Sequence, residues 1–222
     1  MPATADQILA ALPQTQCTRC GYPDCAGYAQ AIAVGAAPIN QCPPGGAQGI
    51  ARLARLTGQP VLPLNPDFGT ETPRTVAVID ENWCIGCTLC IKACPTDAIL
   101  GSNTLMHTVI EPYCTGCELC LPVCPVDCIE LVNVSGSATG WQAWSPAQAA
   151  TARQRYAWHQ ERRERDRQQD SPRLEHKART KSNDPARDLL PTEPGVLDKK
   201  RAVIDAALAR ARAKRLPGDG SA

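Results

Sequence analysis

The stretches CIGCTLCIKACPTDAI (residues 84–99) and CTGCELCLPVCPVDCI (residues 114–129) agree at nine of sixteen positions with an offset of 30 residues. A repeat of this length is one supersecondary unit used twice, so the pair predicts a pseudo-twofold module. Short β-prone runs frame it: Val76-Ala77-Val78-Ile79 before the first copy, Thr108-Val109-Ile110 before the second, and Ile129-Glu130-Leu131-Val132 after it. Ser102-Asn103 supplies a turn between Ile99-Leu100 and Leu105-Met106.

Each copy spells C-x2-C-x2-C-x3-C-P, the spacing of bacterial ferredoxins, in which three close thiolates and one distant thiolate hold a four-iron cubane. The fourth cysteine of each run serves the other cluster. By that rule Cys84, Cys87, Cys90 and Cys124 hold one cluster and Cys94, Cys114, Cys117 and Cys120 hold the other. Cross-ligation fastens the two copies together, which makes cluster assembly and folding a single event. Gly86 and Gly116 fall at equivalent points of the tight loops, and Pro95 and Pro125 redirect the chain after the fourth cysteines. Two zinc sites are the alternative, since C-x2-C pairs also build zinc ribbons. A third thiolate three positions on, present in both copies, suits a cubane better.

Upstream, Cys17, Cys20, Cys25 and Cys42 form a second kind of set, C-x2-C-x4-C-x16-C, around a Cys20-Gly21-Tyr22-Pro23 turn. This spacing fixes four ligands more firmly than it fixes the metal, and zinc, 2Fe-2S and 4Fe-4S all remain open. Helices are predicted over Asp6–Leu12, ended by Pro13, and over Ala26–Val34; Ile50, Leu53 and Ala54 mark a third, closed by Gly58 as a left-handed cap. Pro60, Pro63, Pro66 and Pro73 make residues 59–74 an extended linker.

All thirteen cysteines lie between Cys17 and Cys128, and only 4% of the chain is aromatic, so ligation rather than bulk has to hold this region together. The near-neutral total charge hides a division. Residues 1–140 carry 5 Lys or Arg against 11 Asp or Glu, whereas residues 141–222 carry 18 against 11, giving an acidic head at −6 and a basic tail at +7. No apolar run reaches the roughly 18 to 20 residues of a membrane span, and the opening residues lack a signal core, which predicts a cytoplasmic protein. Closely spaced cysteines in that reducing compartment are ligands rather than disulfide partners.

The residues CTRCGYPDCAGYAQAI and APINQCPPGG resemble the four-cysteine 4Fe-4S domain at the front of the B subunits of Rnf-type, ion-translocating electron transport complexes. PLNPDFGTETPRTVAVIDENWCIGCTLCIKACPTDAI, MHTVIEPYCTGCELC and CPVDCIEL resemble the second half of those same subunits, in the same order. The likeness covers residues 5–132. It implies a 4Fe-4S cluster at Cys17, Cys20, Cys25 and Cys42, and a three-cluster protein relaying low-potential electrons. Its implied partners are redox protein donors and acceptors and other subunits of an electron transport complex at the membrane. Family members begin with a membrane helix, whereas sixteen residues precede Cys17 here, so peripheral docking at the cytoplasmic face of the inner membrane is expected.

The expected architecture is α+β. A small helical four-cysteine Fe-S domain (residues 1–58) is followed by the linker (59–74), a pseudo-twofold two-cluster ferredoxin-like domain (75–134) and a basic, partly disordered helical tail (141–222). In the tail, Ser145-Pro146-Ala147-Gln148 starts a helix to about Gln169, residues 170–195 read as disordered, and Val203, Ala207, Leu208 and Ala211 mark a second helix. With no cysteine and little apolar surface, the tail is expected to be dispensable for the clusters. Cys128 replaces Ala98 of the first copy and reads as a small buried residue. His107, His159 and His176 are too scattered to form a site. Tyr28, Tyr113 and Trp83 read as core residues, with shielding of the clusters as the alternative. Arg162-Arg163-Glu164-Arg165-Asp166-Arg167 mixes signs, which disfavours nucleic acid as a partner. No nucleophile with its base, phosphate loop or carboxylate pair is visible, so the chemistry expected is electron transfer without an independent catalytic site.

Overall fold

The computed structural model describes residues 3–183 together with Asp198, Ala202, Val203, Asp205, Ala206 and Ala209. Helix α1 (Ala5–Ala11) starts from a capping box in which the Thr4 and Gln7 side chains each accept from the other's backbone amide. Helix α2 (Cys25–Ala33) is capped by Asp24, whose carboxylate accepts from the Gly27 amide at 2.7 Å. Helix α3 (Gly46–Thr57) ends at Gly58 with φ 72°, the left-handed cap its sequence predicts. These helices enclose one apolar core of Ile8, Leu12, Tyr28, Ile32, Ile39, Ile50 and Leu53, and Cys20, Cys25 and Cys42 belong to the same cluster.

Strand β1 (Thr75–Ile79) pairs antiparallel with β4 (Ile129–Asn133), Ile79 lying opposite Ile129. Strand β2 (Ile99–Leu100) pairs with β3 (Thr108–Val109). The two copies of the repeat share one backbone course: φ is 65° at both Thr88 and Glu118, 51° and 49° at Asp97 and Asp127, and 68° and 67° at Gly86 and Gly116. They part at one place. Helix α4 (Leu89–Ala93) has no counterpart in the second copy, because Lys92 donates its amide to Thr88 O at 3.2 Å and its equivalent is Pro122, which has no amide hydrogen.

The two loop glycines have no room for a side chain. A Cβ on Gly116 would lie 2.4 Å from Thr75 O, and one on Gly86 would lie 2.6 Å from the Leu105 backbone. Gly116→Ala should therefore cost at least about 2 kcal/mol, since left-handed strain of roughly 1–2 kcal/mol is joined by a backbone clash. Gly136→Ala, at φ 61° with nothing within 4 Å of the added carbon, should show the strain alone. Equal denaturant midpoints for the two variants would contradict the clash.

The composition changes at Gly140, but the packing does not. The chain forms two compact units, residues 1–160 and 161–222. Helix α5 (Gly140–Ala143) and the start of helix α6 (Pro146–Asn183) belong to the first. Trp141 and Trp144 are buried with Ala149 and Ala152. Trp144 Nε1 donates to Pro13 O at 2.8 Å. The guanidiniums of Arg52 and Arg74 lie 3.9 and 4.5 Å from the Trp141 and Trp144 ring centroids. Glu71 accepts from the Ala47 amide at 2.8 Å and the Thr139 hydroxyl at 2.7 Å, so the 59–74 segment is tied down as well. The expectation that everything past Gly140 has little apolar surface with which to complete the head is thus overturned for residues 141–160. Composition does not show it because the buried cluster is two tryptophans and two alanines, and a tryptophan is large but counts as one residue.

Helix α6 begins with the predicted Ser145–Gln148 capping box. It runs on to Asn183, through residues 170–183, whose composition predicts disorder; Arg, Glu, Gln, Lys and Ala sustain it. Val203 is helical, whereas Ala207, Leu208 and Ala211 of the expected last helix lie outside the described residues.

Candidate metal centres

The repeat surrounds two cavities. Cys84, Cys87, Cys90 and Cys124 line one, with His107 and Cys128 beside them. Cys94, Cys114, Cys117 and Cys120 line the other, with Ala77, Thr96 and Ala98. Three cysteines of one copy therefore line each cavity together with a fourth from the other. Backbone amides point at the sulfurs with the same symmetry: His107 N donates to Cys84 Sγ and Ala77 N to Cys114 Sγ, both at 3.4 Å, and Ala98 N donates to Cys94 Sγ at 3.2 Å.

Cys17 and Cys20 sit on a loop in which Gln14, Gln16 and Thr18 have φ of 62°, 55° and 60°. Alternation of such residues with ordinary ones curls successive amides inward into an anion-binding nest. Cys25 is the first residue of α2, with its amide bound to Gln16 Oε1 at 2.9 Å. Cys42 leads into the 3-10 turn Pro43–Gly45 and is buried, as are Cys17, Cys20 and Cys25. The Tyr28 hydroxyl donates to Pro38 O and accepts from the Gln41 amide, which steadies the loop before Cys42.

Burial, reinforced by neighbouring cysteines, pushes the Cys25, Cys117 and Cys120 thiols up to about 12 and raises Cys20, Cys42 and Cys90. Such groups ionise only with positive charge among them, which is what the irons of a cluster provide. Among the described residues no three His, Cys, Asp or Glu side chains converge as the ligands of a single ion would. In the repeat, four cysteines ranged around each cavity fit a cluster better than one zinc ion.

Neighbouring sets are linked. Thr115 Oγ1 donates to Thr15 O at 3.0 Å, and Arg19 pairs with Glu118 at 2.6 Å. Burial alone would lower the Arg19 pKa, but Glu118 and the nearby Cys17 and Cys117 outweigh it and hold the guanidinium above its ordinary value. Cys17 and Cys117 thus face one cation. Cys120 in turn lies close enough to Cys90 to be raised by it, after burial, Cys114 and Cys94.

Helix α6 reaches both cysteine-bearing regions. Arg155 donates to Thr96 O and Asp97 O at 2.6 and 3.0 Å and lies 3.6 Å above the Tyr113 ring. His159 Nδ1 meets Asp97 Oδ1 at 2.7 Å, and Tyr156 Oη donates to Asp24 Oδ2, on the cap of α2, at 2.9 Å. Sequence reasoning does not find these residues, since a helix with one thin apolar face gives no sign of polar partners so distant in the chain. Cys128 is buried as expected, its Sγ 3.6 Å from Cys124 Sγ. Tyr28 is a core residue, whereas Trp83 is 70% exposed and belongs to no core.

Residues 77–131 match the family "4Fe-4S dicluster domain", and residues 12–44 match the family "Putative Fe-S cluster". The chain is 61% identical over 137 residues to the B subunit of the ion-translocating oxidoreductase complex of Azoarcus sp., a match covering 62% of this chain and 75% of that one. It is 58% identical over 106 residues to the corresponding protein of Thiobacillus denitrificans, covering 48% of this chain and 56% of that one. Against that of Alkalilimnicola ehrlichii it is 56% identical over 155 residues, covering 69% and 82%. No solved structure matches. Among the described residues no helix is long and apolar enough to cross a membrane. With three-quarters of the Azoarcus protein matched at this identity, the chain belongs to the family of B subunits of ion-translocating oxidoreductase complexes.

Proposed function

We propose that the chain carries three 4Fe-4S clusters and relays low-potential electrons between redox proteins that are other subunits of an ion-translocating oxidoreductase complex. It would do so docked peripherally at the cytoplasmic face of the inner membrane. Cys17, Cys20, Cys25 and Cys42 hold the first cluster, Cys94, Cys114, Cys117 and Cys120 the second, and Cys84, Cys87, Cys90 and Cys124 the third. The observation that carries the reading is the pair of cavities, each lined by three cysteines of one copy and the fourth of the other. The Cys94/Cys114/Cys117/Cys120 set stands in the middle, next to Cys17 through Arg19 and next to Cys90 through Cys120.

Bound clusters supply one-electron redox chemistry, and the chain's own residues hold, space and insulate them. The outer ferredoxin-like site has half-exposed Cys84, Cys87 and Cys124, flanked by exposed Ile85 and Val126, which makes it the face for electron exchange with a partner.

Anaerobically prepared protein should contain about twelve irons and twelve acid-labile sulfides per chain. Zinc at the N-terminal quartet would overturn the three-cluster reading, and fewer than about eight irons in a reconstituted sample would overturn the ferredoxin assignment too.

A further inference from the structure

We propose that His107 is a positioning residue that sets the two ferredoxin-like clusters at different potentials by donating a hydrogen bond from its imidazole to Cys90 Sγ. This rests on the cluster reading above, in which Cys90 is a ligand. The His107 side chain is buried, with Nδ1 3.3 Å from Cys90 Sγ and Nε2 3.3 Å from Ser102 O. A ligating sulfur carries no proton and can only accept, so the contact with Cys90 requires a hydrogen on Nδ1, just as the contact with Ser102 O requires one on Nε2. Space for the ring is reserved by Gly101, where a Cβ would lie 2.1 Å from His107 Cδ2.

The repeat breaks its symmetry at His107. At the offset of 30 residues, His107 corresponds to Ala77 and Gly101 to Leu131. The backbone amides of His107 and Ala77 do the same job at Cys84 Sγ and Cys114 Sγ, both at 3.4 Å. Loop geometry and amide donors are therefore shared by the two sites. What differs is the side chain: an imidazole donor lines the Cys84/Cys87/Cys90/Cys124 cavity, and Ala77 and Leu131 line the other.

Reduction adds one electron, drawn from the redox partner, and makes the sulfurs more negative. A donor hydrogen bond strengthens with that charge and favours the reduced state. The ring keeps its N–H hydrogens and forms no bond to the cluster. Half-exposure of Cys84, Cys87 and Cys124 acts in the same direction. The outer cluster is thus the electron sink of the pair, downhill from the middle one and beside the exchange face.

The test is an anaerobic EPR redox titration of the full chain. His107→Leu should keep its iron and lower the higher of the two ferredoxin potentials. The expected change is about tenfold in the reduced-to-oxidised ratio, or ~59 mV for a one-electron couple, with the lower potential unmoved. His107→Asn, which returns an amide donor near the place of Nδ1, should recover most of the shift. Wild-type protein carrying 15N only in its histidine rings should show imidazole nitrogen coupling to a reduced cluster in pulsed EPR, a reading that stands even where His107→Leu fails to fold. Unmoved potentials in iron-replete His107→Leu, or no ring-nitrogen coupling in the wild type, would overturn the proposal. A wild-type protein without iron would sink the cluster reading itself, and this inference with it.

Discussion

Replacing Trp144 by alanine should lower the stability of residues 1–160 by about 3–5 kcal/mol, the range for removing a large aromatic side chain from a packed site. Trp144 is 5% exposed, its indole N–H is bound to Pro13 O at 2.8 Å, and the Arg74 guanidinium lies over its ring. Arg74 also donates to Cys114 O at 3.0 Å, so the indole supports one cysteine loop through Pro13 and another through Arg74. Trp144→Phe keeps most of the burial but leaves Pro13 O without its donor, and should cost about 1–3 kcal/mol. The readout is the denaturant midpoint for loss of the visible iron-sulfur absorbance.

Truncation removes the same contacts together. A chain ending at Gly140 loses both tryptophans and the Arg155, Tyr156 and His159 contacts, and should bleach at far lower denaturant than the full chain. A chain ending at Asp170 keeps all of them and should match the full chain. Equal midpoints for all three would refute the role assigned to residues 141–160.

The cysteine sets and the pseudo-twofold are legible in the sequence because ligand spacing and repetition are local properties of the chain. So are the Gly58 cap and the Ser145 capping box, each decided by a few adjacent residues. Residues 141–160 are illegible for the opposite reason. Their work is done by single long-range contacts, such as Trp144 to Pro13 across 131 residues and Tyr156 to Asp24 across 132, and no periodicity records a contact of that kind. The missing second copy of α4 can be read from Pro122 alone, since the sequence shows it aligned with Lys92. His107 lies between these cases. Its place in the repeat is visible, whereas the sulfur it meets depends on how the copies fold against each other.

Exchanging Cys94 for serine should damage the cluster of the other copy and spare its own. Cys94 follows Cys90 by four residues, yet its Sγ lines the cavity of Cys114, Cys117 and Cys120 and is absent from that of Cys84, Cys87 and Cys90. The sulfur is buried and accepts from the Ala98 amide at 3.2 Å, so the smaller, harder serine oxygen would be a poor ligand in the same place. Iron per chain should fall from about twelve to about eight if the damaged cluster is lost outright. Alkylation under anaerobic conditions followed by peptide mapping should then find Cys114, Cys117 and Cys120 newly reactive, with Cys84, Cys87 and Cys90 still protected. Cys124→Ser should give the mirror image. Its Sγ is held below the ordinary thiol value despite burial, because the Val126, Cys128 and Asp127 amides and the Cys128 thiol donate to it. Reactivity at Cys84, Cys87 and Cys90 in the Cys94 variant would mean that each run of cysteines serves its own cluster, and the crossing of ligands between the two copies would be wrong.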